Sequence, residues 1–315
     1  MAELESDVWN LAVSPSHFEQ QMEFLHRKAR VISVEELVEA IDKRTLKPRS
    51  VVLTFDDGYA DNGLVAKPIL DTYGLPATFF IASQTIDTAT EFWWDELEDI
   101  ILLTKELPQA FFGTVANTEL YLALDSEVSL SASLRAQHKQ WSASEVPPPT
   151  LRAKLFLQIW ELLRPLPSDE QQRQLHQVRQ WAGVAPSQRP TYRSLSRQQL
   201  QDLSQSSLHT LGAHTHSHPA LSFHPRAVQQ QELVDNKAFL ETVTGKRIQY
   251  LTYPYGNYIP ETVALAAELG FRAAFTTEAL PIGSVSDKYR LGRFQVRDMP
   301  ALNFAQQLQG WRQSS

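Results

Sequence analysis

Two neighbouring carboxylates end an apolar stretch in the sequence VVLTFDDGYADN, which runs from residue 51 to residue 62. The apolar residues before Asp56 and Asp57 are typical of a buried strand. Neighbouring side chains that leave a strand point in different directions, so the two carboxylates can do different work. One can bind a metal ion while the other acts as a general base, because a divalent cation relieves the repulsion between two close negative charges. The alternative interpretation is a tight turn, in which Asp and Gly are both common.

Three of the nine histidines lie within five residues, in the sequence LGAHTHSHPAL. The spacing of His214 and His218 places both on one face of a helical turn, and His216 then points elsewhere. Neutral imidazole binds zinc and similar metals, and a carboxylate would complete a set of three ligands that leaves positions open for water and substrate. A polar loop with solvated histidines is the alternative. We favour the metal site, because a pair of carboxylates with no other evident role occurs elsewhere in the chain.

A third unusual cluster is the sequence YPYGNY at residues 253–258. It is either an aromatic and proline-containing loop that closes one end of the fold or one wall of a substrate groove. In the second case a backbone N–H of the loop would face a developing oxyanion. The aromatic faces would also suit the packing of sugar rings.

The elements that position these clusters alternate between strands and helices. Apolar runs predict the strands, and amphipathic runs such as ADNGLVAKPILDTYG and PETVALAAELG predict helices between them. This alternation favours a parallel sheet, either closed as a barrel or open and doubly wound. Functional groups gather beyond the C-terminal ends of the strands in both architectures, and all three clusters follow a predicted strand. The predicted strands are SVVLTF, ATFFIA, HTLGAH, IQYLTYPY, AAFTT and RFQV.

Two helices are predicted before the first carboxylate cluster, each from a capping box. Ser16 and Glu19 form the first box, and Ser33 and Glu36 form the second. The first helix is predicted in SPSHFEQQMEFLHRKA and the second in SVEELVEAID.

The middle of the chain lacks strong strand patterns. From about residue 90 to residue 190 we predict a mainly helical insertion, so that residues 1–315 form one domain. Trp93 and Trp94 begin its first predicted helix, where they either anchor a core or form a wall that stacks on substrate.

The composition restricts the remaining possibilities. The net charge is −7 and the basic residues form no run, which argues against a nucleic-acid partner. We interpret Arg189, Arg193 and Arg293 as structural or rim charges. The absence of cysteine leaves histidine and carboxylates as the metal ligands.

No apolar run approaches the roughly 18 residues that a membrane span needs. The start of the chain shows no signal peptide, so we expect a cytoplasmic protein unless an upstream leader has been removed.

These residues resemble the motifs of the polysaccharide deacetylase family, the carbohydrate esterases that share the NodB-homology domain. The first motif, TFDDG, stands at residues 54–58, and the second, H-[ST]-x-x-H-P, stands at residues 214–219. The third motif is matched in part by YPYG at residues 253–256. The resemblance implies an α/β fold, a distorted (β/α) barrel with fewer strands than a TIM barrel, and the helical insertion lies outside the motifs.

The resemblance also implies residue roles by motif position. Asp56 would be the base that activates water, and Tyr255 would offer its backbone N–H to the tetrahedral oxyanion. Asp57, His214 and His218 would hold a divalent metal, with Zn²⁺ as the first expectation. The substrate would be an N-acylated sugar, oligosaccharide or polysaccharide.

The sequence departs from the family pattern at several positions. Thr252 stands where the third motif usually has the arginine that orients the base. No histidine follows His224, although the family usually takes its general acid from a late histidine, and the Asp-Trp pair of the fourth motif is not visible. The candidates for the proton donor are His216, His224 or a group of the insertion.

We therefore expect a metal-dependent hydrolase that removes an N-acyl group, acetyl or formyl, from an amino sugar or a polysaccharide. Two alternatives stay open. A catalytically inactive relative that binds glycans or a partner protein would account for the missing acid. A metal hydrolase that acts on a non-sugar amide or an ester would account for the insertion.

Overall fold

The computed structural model describes residues 4–313. These residues form two compact units, one of Ala12–Thr88 with 194–313 and one of 4–11 with Ala89–Arg193. No helix within residues 4–313 has the length and apolar character needed to cross a membrane. The strands are β1 (Arg30–Val31), β2 (Ser50–Val51), β3 (Leu53–Phe55), β4 (Ala77–Ile81), β5 (Ala110–Val115), β6 (Thr118–Ala123), β7 (His209–Ala213), β8 (Tyr250–Thr252) and β9 (Ala273–Phe275). The α-helices are α1 (Pro15–Lys28), α2 (Val34–Asp42), α3 (Lys67–Tyr73), α4 (Trp93–Glu98), α5 (Ala132–Gln140), α6 (Leu151–Leu163), α7 (Ser168–Ala182), α8 (Arg197–Ser204), α9 (Arg226–Thr244), α10 (Pro260–Glu268) and α11 (Ala301–Gln313).

The first unit is built on five parallel strands that lie in chain order, β3-β4-β7-β8-β9. Helix α3 leads from β3 to β4, α9 leads from β7 to β8, and α10 leads from β8 to β9. Strands β1 and β2 form a separate parallel pair. Parallel neighbours need such helical crossovers, and strands in chain order curl toward a barrel. The predicted α/β fold, a distorted (β/α) barrel with few strands, is confirmed.

Strand β4 is buried along its whole length. Alternate residues serve two different cores: Phe79 lies in one apolar cluster, and Phe80 lies in another with Tyr250 and Phe275. A continuous apolar run is the pattern of a parallel strand that is covered on both faces. Gly212 on the neighbouring strand β7 leaves room for Phe80, because a Cβ at this position would lie 2.3 Å from the phenyl ring.

The two predicted N-terminal helices both exist, but only one capping box does. Helix α1 has Ser14 as its N-cap and Pro15 as its first residue. Proline suits this position because its missing N–H would have no helical partner there, so the helix begins before Ser16 and the box predicted at Ser16 is wrong. The box of Ser33 and Glu36 is confirmed, with both reciprocal hydrogen bonds present at the start of α2.

The C-terminal segment differs from the prediction. The sequence RFQV forms no strand, because pairing beside β9 is limited to a single bridge between Leu291 and Phe275. Gly292 follows at once, and a Cβ there would lie 2.5 Å from the carbonyl oxygen of Leu280. The chain therefore leaves the sheet at this point and later forms α11, a helix that was not predicted.

The second unit combines helices α4–α7 with an antiparallel hairpin of β5 and β6. The hairpin was not predicted from the sequence. Its turn residues Ala116 and Asn117 have φ of 51° and 63°, as a type I′ turn requires, but the Ala-Asn pair lacks the Asn-Gly signature. Phe111 and Leu122 form a buried cross-strand pair, whereas the adjacent Phe112 is exposed. Because Phe112 is an apolar residue on the solvent-facing side of the hairpin, the sequence lacks the alternation of apolar and polar residues that predicts a half-buried strand.

The large aromatic residues that begin α4 belong to the core of the second unit. Trp93 is 3% exposed and Trp94 is 8% exposed. The two rings pack edge to face with centroids 5.7 Å apart, and Trp160 of α6 lies 6.1 Å from Trp93. Of the two interpretations of Trp93 and Trp94, the core anchor is the one that the structure favours.

Glu98 at the end of α4 is a buried carboxyl group that accepts a hydrogen bond from Ser6. Burial raises the pKa of Glu98 to about 7; the hydrogen bond from Ser6 and the charge of Arg189 oppose this, and the charges of Asp7 and Asp99 reinforce it. The ordinary value is 4.5, so between these two pH values the folded protein holds a proton that the unfolded chain has released. The free energy of unfolding therefore falls as the pH rises from the ordinary value through about 7.

We expect Glu98→Gln to remove most of this pH dependence, which amounts to about 3 kcal/mol from full protonation to full ionisation. Urea unfolding at about pH 5 and about pH 8 measures the difference. The matched control is Glu106→Gln, which changes an exposed glutamate of the same unit and should keep the wild-type pH dependence. A wild-type stability that does not fall between the two pH values would contradict the prediction.

Candidate active site

The three polar clusters meet at one end of the sheet in the first unit. Asp56 and Asp57 directly follow β3, His214 directly follows β7, and Tyr255 lies in a short turn after β8. These are the C-terminal ends of parallel strands, where side chains from distant parts of a chain converge.

Asp57, His214 and His218 form a compact group of donor atoms, all within 4.8 Å of one another. Oδ1 of Asp57 lies 3.2 Å from Nε2 of each histidine, and the two Nε2 atoms are 3.1 Å apart. His214 is 2% exposed and His218 is 4% exposed. One carboxylate oxygen and two imidazole nitrogens in a nearly equilateral triangle could occupy one face of a metal ion.

The two histidines reach this position from a loop and not from a helical turn, so the predicted helical geometry is wrong. Residues 214–218 are not helical. Thr215 and His218 have φ of 64° and 60°, in the left-handed region. This backbone reverses the chain within five residues, so the two Nε2 atoms meet without the help of helical periodicity.

Thr252 at the end of β8 fixes the ring of His214. Its carbonyl oxygen lies 3.0 Å from Nδ1 of His214, and its hydroxyl group contacts the same nitrogen. Nδ1–H donates to the carbonyl, so Nε2 is the nitrogen that faces the shared triangle. An imidazole held by its second nitrogen in this way is the usual form of a histidine that binds a metal.

The electrostatics of the triangle favour a charged carboxylate between two buried rings. Burial would raise the pKa of Asp57, but hydrogen bonds from His214 and His218 hold it well below its ordinary value. Burial would lower the pKa of His214, but the hydrogen bond to Asp57 and the charges of Asp56 and Asp57 raise it. For His218 burial prevails and the pKa is lowered.

Asp56 does not join the triangle and instead pairs with Arg293. Nη1 and Nη2 of Arg293 donate to Oδ1 and Oδ2 of Asp56 at 2.8 Å and 2.7 Å. Nη1 also donates to the hydroxyl of Thr54, and Nε donates to the carbonyl of Thr276. Such a two-pronged ion pair fixes the plane of the carboxylate. Arg293 therefore contacts the candidate site itself, which the interpretation as a structural or rim charge did not include.

Arg293 is the residue of the site that the sequence did not reveal. The expected place for an arginine beside the base was position 252, where Thr252 holds His214 instead. Burial would raise the pKa of Asp56, but the charge and hydrogen bonds of Arg293 lower it below its ordinary value. The one feature of the sequence that could have indicated it is Thr252, which stands where the family motif has an arginine. Without that arginine, the buried carboxylate of Asp56 needs a cation from elsewhere in the chain.

Tyr255 lies beside the triangle in a tight turn. Its backbone is left-handed with φ of 58°, and its ring packs edge to face on His218 with centroids 4.6 Å apart. Gly256 follows with φ of 62°, and a Cβ at this position would lie 2.0 Å from the hydroxyl of Thr277. The turn thus requires glycine after Tyr255, and it brings the ring of Tyr255 against a histidine of the triangle.

The two histidines that were candidates for the proton donor have different surroundings. His216 is half-buried in the same loop as His214, and its Nδ1 lies 3.0 Å from the hydroxyl of Ser83. His224 is buried, and its Nε2 has no hydrogen-bond partner within residues 4–313. Its backbone carbonyl accepts a hydrogen bond from Gln229 of α9.

Comparison with known proteins places these features in a family. The family model described as polysaccharide deacetylase matches residues 43–102 and 168–274, more than half of the chain. The Bacillus subtilis (strain 168) protein named "Putative polysaccharide deacetylase YxkH" is 34% identical over 79 residues, which make up 24% of this chain and 28% of that protein. The chain thus matches less than a third of the length of this relative.

Solved structures share the fold over nearly the whole chain. The Streptococcus pyogenes deacetylase PplD, in complex with acetate, is 20% identical with a TM-score of 0.56, and the match covers 95% of this chain and 88% of PplD. A de-N-acetylase from Aggregatibacter actinomycetemcomitans is 16% identical with a TM-score of 0.56, and covers 98% and 94%. At these identities the likeness is one of fold. Together with the family match along the sequence, it leads to one conclusion: the chain belongs to the polysaccharide deacetylase family.

Proposed function

We propose that this protein is a metal-dependent hydrolase that removes an N-acyl group, acetyl in the first instance, from an amino sugar within an oligosaccharide or polysaccharide. The observation that carries the proposal is the triangle of Asp57, His214 and His218 beside a separate, arginine-paired carboxylate, Asp56. Metal ligands and a base that is held apart from them are the two requirements of metal-assisted hydrolysis.

The donor atoms fit a divalent cation such as Zn²⁺. Metal–ligand distances of about 2.0–2.1 Å place neighbouring donors about 2.9–3.4 Å apart in tetrahedral or octahedral geometry. The separations of 3.1 Å and 3.2 Å in the triangle fall within this range. Asp57, His214 and His218 would hold the ion, and the two imidazoles with one carboxylate are typical of zinc and similar metals.

A bound metal would polarise the amide carbonyl and lower the pKa of water. Asp56 would accept the proton of the attacking water, because its carboxylate is ionised and its plane is fixed by Arg293. The backbone N–H of Tyr255 would donate to the oxyanion that forms at the acyl carbon. When the C–N bond breaks, the proton that Asp56 took from water must reach the nitrogen, so that the acyl group leaves as a carboxylic acid and the sugar keeps a free amine.

The substrate class is supported by the family and by the named relatives. PplD was solved in complex with acetate, which is the acid that N-deacetylation releases. The aromatic turn that carries Tyr255 also lies beside the triangle, where a sugar ring would pack against it. All residues to which we assign a role lie in the first unit.

The test measures metal content and acetate release together. After chelation and reloading with Zn²⁺, we expect about one ion per wild-type chain and acetate release from oligomers of N-acetylglucosamine. Asp57→Ala and His214→Ala should lose the bound ion and the activity. His26→Ala, which changes an exposed histidine whose Nδ1 contacts the carbonyl oxygen of Tyr73, is the control and should keep both. A wild-type protein that holds no stoichiometric metal after reloading would overturn the proposal.

A further inference from the structure

The loop of residues 214–218 has a strained backbone. Thr215 and His218 are both left-handed, with φ of 64° and 60°, and a residue other than glycine stays in this conformation only where its surroundings enforce it. A β-branched threonine is especially rare in this conformation. The contacts around the loop must therefore enforce its shape, and we name residues 214–218 the histidine loop.

Helix α9 provides one set of these contacts through Glu232. Its carboxylate accepts hydrogen bonds from both the backbone N–H and the hydroxyl of Ser217, at 2.7 Å and 2.6 Å. Its backbone carbonyl accepts a hydrogen bond from the N–H of His216 at 3.1 Å. A single residue of the helix thus binds the middle of the histidine loop in three places, two of them charge-assisted and stronger than neutral hydrogen bonds.

Asn236 provides the second set of contacts, one helical turn further along α9. Its Oδ1 accepts from the backbone N–H of His214 at 3.2 Å, and its Nδ2 donates to the carbonyl of Ile81 at 2.9 Å. The side chain is completely buried. Residues four apart lie on the same face of a helix, so Glu232 and Asn236 form one polar surface that meets the start and the middle of the loop.

The opposite side of the histidine loop is bound to the segment after β4. The N–H of Ser83 donates to the carbonyl of Thr215, and the N–H of Gln84 donates to the carbonyl of His216 at 2.8 Å. Asn236 also bonds to Ile81, the last residue of β4. The loop is therefore held between α9 and β4, and α9 is itself tied to the same strand.

We propose that Glu232 and Asn236 are positioning residues for the proposed metal site: they hold the histidine loop in its strained form and thereby set the affinity of the site for its metal ion. This inference rests on the proposed function. Partners that orient metal ligands typically change the affinity about 10- to 100-fold when they are removed. When these contacts are removed, the protein should keep its fold while its two histidines are no longer held at a fixed distance from each other.

The experiment measures metal affinity rather than turnover, with Co²⁺ and Zn²⁺ as the probes. Glu232 is half-buried, so its substitution should be tolerated. Glu232→Ala removes both bonds to Ser217 and should weaken Zn²⁺ binding, measured by competition with a chelator, about 10- to 100-fold. Glu232→Gln can still accept from the Ser217 N–H and donate to its hydroxyl, so it should recover most of the loss. The visible spectrum of the Co²⁺ form should change in the alanine variant and not in the glutamine variant.

Matched controls lie on the same helix. Asp235→Asn removes one negative charge from α9, and Gln230→Ala truncates an exposed side chain; both should bind Zn²⁺ as the wild type does. The inference is overturned if Glu232→Ala binds Zn²⁺ as tightly as these controls, even when the melting temperature of its metal-free form is lowered, because that pattern would describe a merely structural residue. A wild type that binds neither metal would instead refute the proposed function, and this outcome is visible before any variant is compared.

Discussion

Asp56→Asn is expected to lower kcat about 10²- to 10⁴-fold, the range that a general base supplies, while the protein keeps its metal ion. Asparagine has the same shape as aspartate, and its amide oxygen can still accept a hydrogen bond from Arg293. It cannot accept a proton from water, so the step that needs a base is lost. Asp56 lies outside the triangle of Asp57, His214 and His218, which is why the ion should remain.

The measurement pairs kcat for acetate release with the Zn²⁺ content of the same preparation. Asp61→Asn is the matched control, because Asp61 belongs to the same sequence stretch and bonds to its neighbour Asn62. It should retain kcat near that of the wild type. An Asp56→Asn variant that keeps both its metal and its full kcat would mean that another group accepts the proton. A variant that loses both would mean that Asp56 supports the metal site instead.

Most of the architecture was predictable because it depends on local patterns. Apolar runs such as ATFFI mark strands that are buried on both faces, and the run became β4. The capping box of Ser33 and Glu36 marks the start of α2 from two residues alone. The features that were missed depend on distant neighbours. The hairpin of β5 and β6 exposes Phe112, and RFQV leaves the sheet because Gly292 lies against the carbonyl of Leu280.

The candidate site also has some features that the sequence predicts and others that it does not. The donor residues are visible in the sequence because Asp57, His214 and His218 belong to two short motifs at strand ends. Their geometry was not visible, since a left-handed threonine at position 215 has no local sequence signal. The pairing of Arg293 with Asp56 could not be predicted either, because the two residues are 237 positions apart. The sequence around Arg293, LGRFQV, resembles an ordinary edge strand. A long-range ion pair of this kind is set by packing and not by the adjacent sequence.

Arg293→Met is expected to lower kcat/KM most at low pH, approaching the 10²- to 10⁴-fold that a general base supplies once Asp56 is protonated, and to restore part of it as the pH rises. In the wild type the guanidinium holds the pKa of Asp56 below its ordinary value against the effect of burial, so the base is ionised throughout the neutral range. Methionine has a similar length and no charge. Without the positive charge of Arg293, burial raises the pKa of Asp56. A larger fraction of the base is then protonated at a given pH.

The sign of the effect distinguishes this role from simple loss of structure. The acid limb of the kcat/KM profile should move to higher pH in Arg293→Met, whereas an unfolded fraction would lower activity equally at all pH values. In the wild type, the lowered pKa of Asp56 stabilises the fold above the pKa of this group in the unfolded chain, and this contribution is lost as the pH falls. Arg293→Met should lack this contribution, so its stability at neutral pH should be lower than that of the wild type.

Arg293→Lys keeps the charge but not the paired geometry, so we expect its acid limb to lie between those of Arg293→Met and the wild type. Arg290→Met removes an exposed arginine three residues away, and its profile should match the wild type. An acid limb that stays in place in Arg293→Met would show that Arg293 orients Asp56 without controlling its ionisation.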